Sequence, residues 1–82
     1  MTFTSRLDKA QIAVLESLDP GGLLTVESLA DAAALTAWRT RNAVSKLSAR
    51  GLILGRMRGG VGVWQITERG RRTLAARGRF YR

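Results

Sequence analysis

Within "TAWRTRNAVSKLSARG", residues 36–51, the polar side chains Arg39, Asn42, Ser45 and Lys46 recur every three or four positions or sit beside one that does. At 3.6 residues per turn such spacing gathers them on one side of a helix, together with Trp38 and Ala49. Arg and Lys donate to guanine O6 and N7, Asn pairs with adenine N6 and N7, and Ser serves either way. Ala49 is small enough to allow close approach or to touch a thymine methyl. Arg41 and Arg50 fall on the flanks, where they suit phosphates better than bases. Stepping 100° per residue from Val44 places Ala37, Thr40, Leu47, Ser48 and Gly51 within about 60° of it, the expected core stripe. An outer face of this kind fits a DNA major groove. The alternative is an ordinary solvated face, although solubility alone requires neither a large aromatic nor an Asn, a poor helix former. Trp38 has three readings: core under the turn, a stack on sugar or base, or a protein contact.

Other chemistries have little to work with. The chain has no cysteine and no histidine, so disulfides, thiolate nucleophiles, the usual zinc ligands and the commonest general base are missing together. Neither catalysis nor a metal or small-molecule cofactor is expected. Fourteen Lys and Arg against six Asp and Glu give a net charge of +8. The charge is also unevenly placed. Residues 1–38 hold two basic and five acidic groups, net −3, whereas residues 39–82 hold twelve basic groups against Glu68, net +11. That asymmetry is the expected footprint of a polyanion-binding face. A coding bias toward Arg would account for the preference of Arg over Lys, but not for acids nearly ceasing after Asp31.

Eighty-two residues suffice for one domain with a modest core, and residues 1–82 are read as one. No run of about 18 apolar residues occurs, and "MTFTSRLDKAQ" lacks the charged start and apolar stretch of a signal peptide. A cytoplasmic, nucleoid-associated protein is expected. Ser5, with Asp8 three positions on, predicts the cap of a first helix, followed by Leu7, Ala10, Ile12, Ala13, Val14, Leu15 and Leu18 at helical spacing. "DPGG" at 19–22 stops it. Leu23 and Leu24 read as a short extended piece, and Thr25 as the cap of a second helix over 26–33 with a narrow stripe of Leu29, Ala30 and Ala33. Thr36 caps the third helix, 36–50, which Gly51 ends. Two short helices joined by a tight turn, the second strongly basic, make a helix-turn-helix pattern. "LILGRMR" at 52–58 and "VWQIT" at 63–67 then predict two strands joined by "GGVG", with Trp64 and Ile66 facing the core. Arg56 and Arg58 share one face of the first strand, placed to straddle a phosphate backbone or enter a minor groove. Charge that blocks edge-to-edge aggregation is the other reading. Thr67 caps a last helix from Glu68 to about Ala76, in which Gly70 is a weak point and Gly78 the stop.

The order helix, short strand, helix, helix, strand, glycine hairpin, strand, helix resembles the winged helix-turn-helix domain of bacterial transcription regulators, most closely the MarR-like group. The residues carrying the resemblance are "LTVESLADAAALTAWRTRNAVSKLSARGLI", 24–53, and "ITERGRR", 66–72. It implies an α+β fold: a three-helix core, a C-terminal β-hairpin wing over 55–63, and a fourth helix. It implies base-reading side chains at Arg39, Asn42, Ser45 and Lys46, and a wing contact over 56–62. Two departures stand out. The family's long flanking helices, which form its dimer, have no counterpart in 82 residues, and the wing shows Gly-Gly-Val-Gly in place of the common Asp-x-Arg. Double-stranded DNA is therefore the expected partner of a small regulator, with Trp38, Arg39, Arg41, Asn42, Ser45, Lys46, Arg50, Arg56 and Arg58 as DNA-binding residues. Useful affinity from so small a module calls for a homodimer, for which Leu74, Phe80 and Tyr81 are the available apolar groups. Phe80 and Tyr81 packing the tail onto the core is the other possibility. The competing function is a winged-helix protein-interaction module that docks an acidic protein surface through Trp38.

Overall fold

Local sequence signals place most helix ends in the computed structural model, which describes residues 7–80, with side chains through residue 76. The first helix, α1, spans Lys9–Leu18. Its N-cap is Asp8 rather than Ser5, which lies outside the described residues. Asp8 Oδ1 accepts from the Gln11 amide at 2.8 Å while Gln11 Oε1 accepts from the Asp8 amide at 3.3 Å, a reciprocal capping box. The stronger box therefore starts three residues later than Ser5, and it accounts for a buried glutamine on an otherwise apolar face.

α2 spans Val26–Ala33 and α3 Ala37–Ala49, capped by Thr25 and Thr36 as their positions predict. The turn between them contains a feature the sequence does not announce. Ala34 sits in the left-handed region at φ 57°, where its amide reaches back to the Ala30 and Asp31 carbonyls. Glycine is the usual residue for such a helix end.

The hairpin consists of β1, Ile53–Arg58, and β2, Val61–Ile66, paired antiparallel from Ile53 with Ile66 to Arg58 with Val61. Its turn is two residues long, not four. Gly59 and Gly60 both have positive φ, 57° and 80°, as a type I′ turn requires. Once those glycines close the turn, Val61 and Gly62 must pair with Arg58 and Met57. Leu24 lies on the other side of β2 and exchanges two backbone hydrogen bonds with Trp64, of 3.0 and 2.8 Å, so the expected extended piece is a single bridge.

α4 runs over Glu68–Phe80, through Gly78 and beyond the expected stop near Ala76. Thr67 caps it by accepting from the Gly70 amide at 3.1 Å. Gly70 is not a weak point. It is buried where the helix crosses the chain after α3, and a Cβ there would collide with the Leu52 carbonyl oxygen.

One apolar cluster joins these parts: Ala10, Val14, Leu15 and Leu18 of α1, Leu29 of α2, Ala43, Val44 and Leu47 of α3, then Leu52, Ile53 and Ile66. Ile66 is core as expected, whereas Trp64 is only half-buried and Val63, on the opposite face of β2, is buried too. Leu74, offered as a dimer contact, is partly buried against the same cluster. Phe80 and Tyr81 lie outside the residues whose side chains are described. Among the described residues no helix is long and apolar enough to cross a membrane.

Candidate nucleic-acid interface

α3 is held from below and left bare above. Its buried residues are Thr40, Ala43, Val44 and Leu47. Thr40 is fully buried, and its hydroxyl donates to the Thr36 carbonyl at 2.8 Å, which removes the cost of placing a polar group there. Ala43 was not in the expected stripe, and Ala37 and Gly51, which were, are exposed because they lie at the helix ends beyond the packed neighbours. The true buried face is therefore rotated by roughly 50° toward Ala43 from one centred on Val44.

The rotation re-sorts the outer residues. Trp38, Asn42, Ser45 and Ala49 stay central on the exposed side, and Arg41 moves from the flank toward them. Arg39 and Lys46 move to the flank nearest α1. There they line, with Trp38, Asn42, Ala43, the α1 cap Asp8 and Ala10 of α1, a shallow groove of about 150 Å³. Trp38 is 71% exposed, which excludes the reading that folds it into the core. Arg50 is half-buried at the C-terminal cap of α3.

The hairpin carries the remaining candidates. Arg56 and Arg58 are exposed on the same face of β1, as alternation requires. The base of the hairpin is anchored by Trp64, whose ring lies over Gly55 so closely that a Cβ there would stand 2.8 Å from it. A glycine within a strand is the sequence signal of such an approach.

The contacts that hold α3, the hairpin and α4 together were not visible as spacing. Thr67 Oγ1 donates to the Gly51 carbonyl at 2.8 Å, its amide donates to the Leu52 carbonyl at 3.1 Å, and Arg69 Nη1 donates to the Arg50 carbonyl at 3.4 Å. The start of α4 is thus fastened to the end of α3. On the other side Arg71 reaches Asp19, donating to its carbonyl at 2.7 Å and standing 3.6 Å from its carboxylate. That Arg71 pair is one salt bridge among the described residues, and among them Arg39, Arg41, Lys46, Arg56 and Arg58 have no acidic side chain within bridging distance.

Solved structures show the same arrangement. BpsR of Bordetella bronchiseptica superposes with a TM-score of 0.84 at 25% identity, over 94% of this chain and 56% of that one. A MarR family transcriptional regulator from Silicibacter pomeroyi gives 0.83 at 25% identity, over 92% and 51%. This chain has the winged-helix fold seen in MarR family regulators. The fold extends to BldR of Sulfolobus solfataricus, with a TM-score of 0.77 at 23% identity over 85% and 52%. The winged-helix domain described here spans about half the length of these structures. No protein-family model matches the sequence, and no curated protein matches it. These neighbours are transcription regulators rather than enzymes.

Proposed function

We propose that the chain is the DNA-reading part of a transcription regulator, with α3 in the major groove of a duplex and the hairpin on the neighbouring backbone or minor groove. The observation that carries this reading is the unburied side of α3, where Asn42, Ser45 and their neighbours lie exposed beside Arg39, Arg41 and Lys46, which form no salt bridge among the described residues. Regulators of similar fold support it; the DNA binding of BpsR is regulated by 6-hydroxynicotinic acid. Asn42 and Ser45 are assigned to base edges with Arg41 and Lys46 to either side of them, Arg39 and Arg50 to the flanks, and Arg56 and Arg58 to phosphates.

Selection from random duplex DNA tests the proposal. An enriched motif is the expected result, and a symmetric one would also support a homodimer. Asn42→Ala should lower discrimination by about 1–3 kcal/mol at one base pair, whereas Arg56→Ala should weaken all sequences alike. Equal losses on every sequence from both changes would remove base reading by α3.

The exposure of Trp38 favours a second reading, an interaction module docking an acidic protein surface with the indole as anchor. Salt separates the two. Five phosphate contacts give a slope of log affinity on log salt of about −4 to −5, and an interface built on an apolar anchor responds far less.

A further inference from the structure

The inner face of the hairpin continues beyond the body it packs on. Ile53, Gly55 and Met57 of β1 share that face with Gly62, Trp64 and Ile66 of β2. Ile53 and Ile66 are buried in the core and Trp64 covers Gly55, but Met57 lies past the reach of the helices and is 72% exposed. Its cross-strand partner is Gly62, and the turn beyond it is Gly59–Gly60. A Cβ built at any of these three glycines meets nothing within 4 Å, so the methionine projects from a thin tip with no side chain beside it on the turn or on the opposite strand position. Arg56 and Arg58, its neighbours in sequence, point to the other face and are both exposed. Val61, also at the tip, is 50% exposed.

A narrow tip bearing one long, flexible apolar side chain, with two cations behind it, suits one partner in particular. The minor groove has phosphate walls that attract the arginines, and proteins that enter it frequently insert Met, Leu, Ile or Phe between base steps, unstacking them. We propose that Met57 is a minor-groove wedge that kinks the duplex, favouring flexible pyrimidine–purine steps under the hairpin. The proposal rests on the DNA-reading function. It adds a specificity determinant on the hairpin that reads deformability rather than base edges.

The test uses the whole chain, a selected duplex, and variants of that duplex with either a TA step or a stiff A-tract where the hairpin lands. Bending is read by energy transfer between dyes at the duplex ends, and affinity is titrated in parallel. The wild-type protein should bend the TA duplex by about 20–90°. Met57→Ala should lose most of that bend and bind the TA duplex roughly fivefold to tenfold more weakly, with little change on the A-tract and an unaltered salt slope. Met57→Leu should retain both properties. Arg58→Ala should show the converse, a shallower salt slope. Because Met57 is so exposed, the alanine variant should melt with the parent. An equal bend with methionine or alanine would overturn the wedge while leaving DNA reading intact, and failure of the wild-type protein to bind any duplex would overturn both. A change in monomer–dimer equilibrium on Met57→Ala without DNA would assign the tip to a second copy and overturn the proposal.

Discussion

Ala34 and Gly70 show how much a single Cβ decides. Ala34 adopts φ 57° without being glycine, at a cost of about 1–2 kcal/mol for an L residue in that region. Ala34→Gly relieves the strain but adds freedom to the unfolded chain, so the net expectation is a gain of roughly 0.5 kcal/mol, seen as a higher midpoint in urea. Gly70→Ala has the opposite sign. Its Cβ meets a backbone oxygen that cannot rotate away, so a loss of about 1–3 kcal/mol is expected despite alanine's better helix propensity. An unchanged denaturation midpoint would show that α4 can shift without cost. Residue type had advertised Gly70 as a helix weakness and gave no signal at Ala34. The true values depend on which atoms lie across from each, and that is not encoded within a few residues of either.

For the elements, caps and turns were largely readable because their chemistry is local. Thr25 and Thr36 start their helices where their hydroxyls predict, and "DPGG" ends α1. Asp8 caps α1 because Gln11 can return a hydrogen bond, and the hairpin loop shortened because two glycines alone satisfy a type I′ turn. Thr67 belongs to two elements at once. Its hydroxyl caps α4 and also donates to the Gly51 carbonyl. Thr67→Val keeps the shape and loses both bonds, an expected cost of about 1–2 kcal/mol. Hydrogen exchange should localise the loosening to the first turn of α4 and the last of α3. Uniform loss of protection throughout the chain would argue that the clasp is no separate unit.

At the scale of the molecule, charge and packing are divided between faces. The Asp19–Arg71 contact ties the end of α1 to α4, but its side chains are 53% and 46% exposed, so Asp19→Asn should cost no more than about 1 kcal/mol and fade with salt. Thermal melts at low and high ionic strength check this, and a loss several times larger would mean that the pair holds the domain together. DNA affinity should respond far more steeply to the same change in salt, and each of Arg56→Ala and Arg58→Ala should reduce the slope by about 0.9 if each meets one phosphate. The amino-acid sequence by itself determined the class of the molecule: four helices and a hairpin, an acidic first part and a basic remainder, and one helix with two unlike sides. These follow from periodicity, capping and composition, which act over a few residues. Only the tertiary structure decided how far α3 is rotated, that Trp38 stays outside while Trp64 covers Gly55, and that Met57 clears the body. Those outcomes depend on the shapes of surfaces brought together from distant parts of the chain, where helical spacing limits the choices but close packing selects among them.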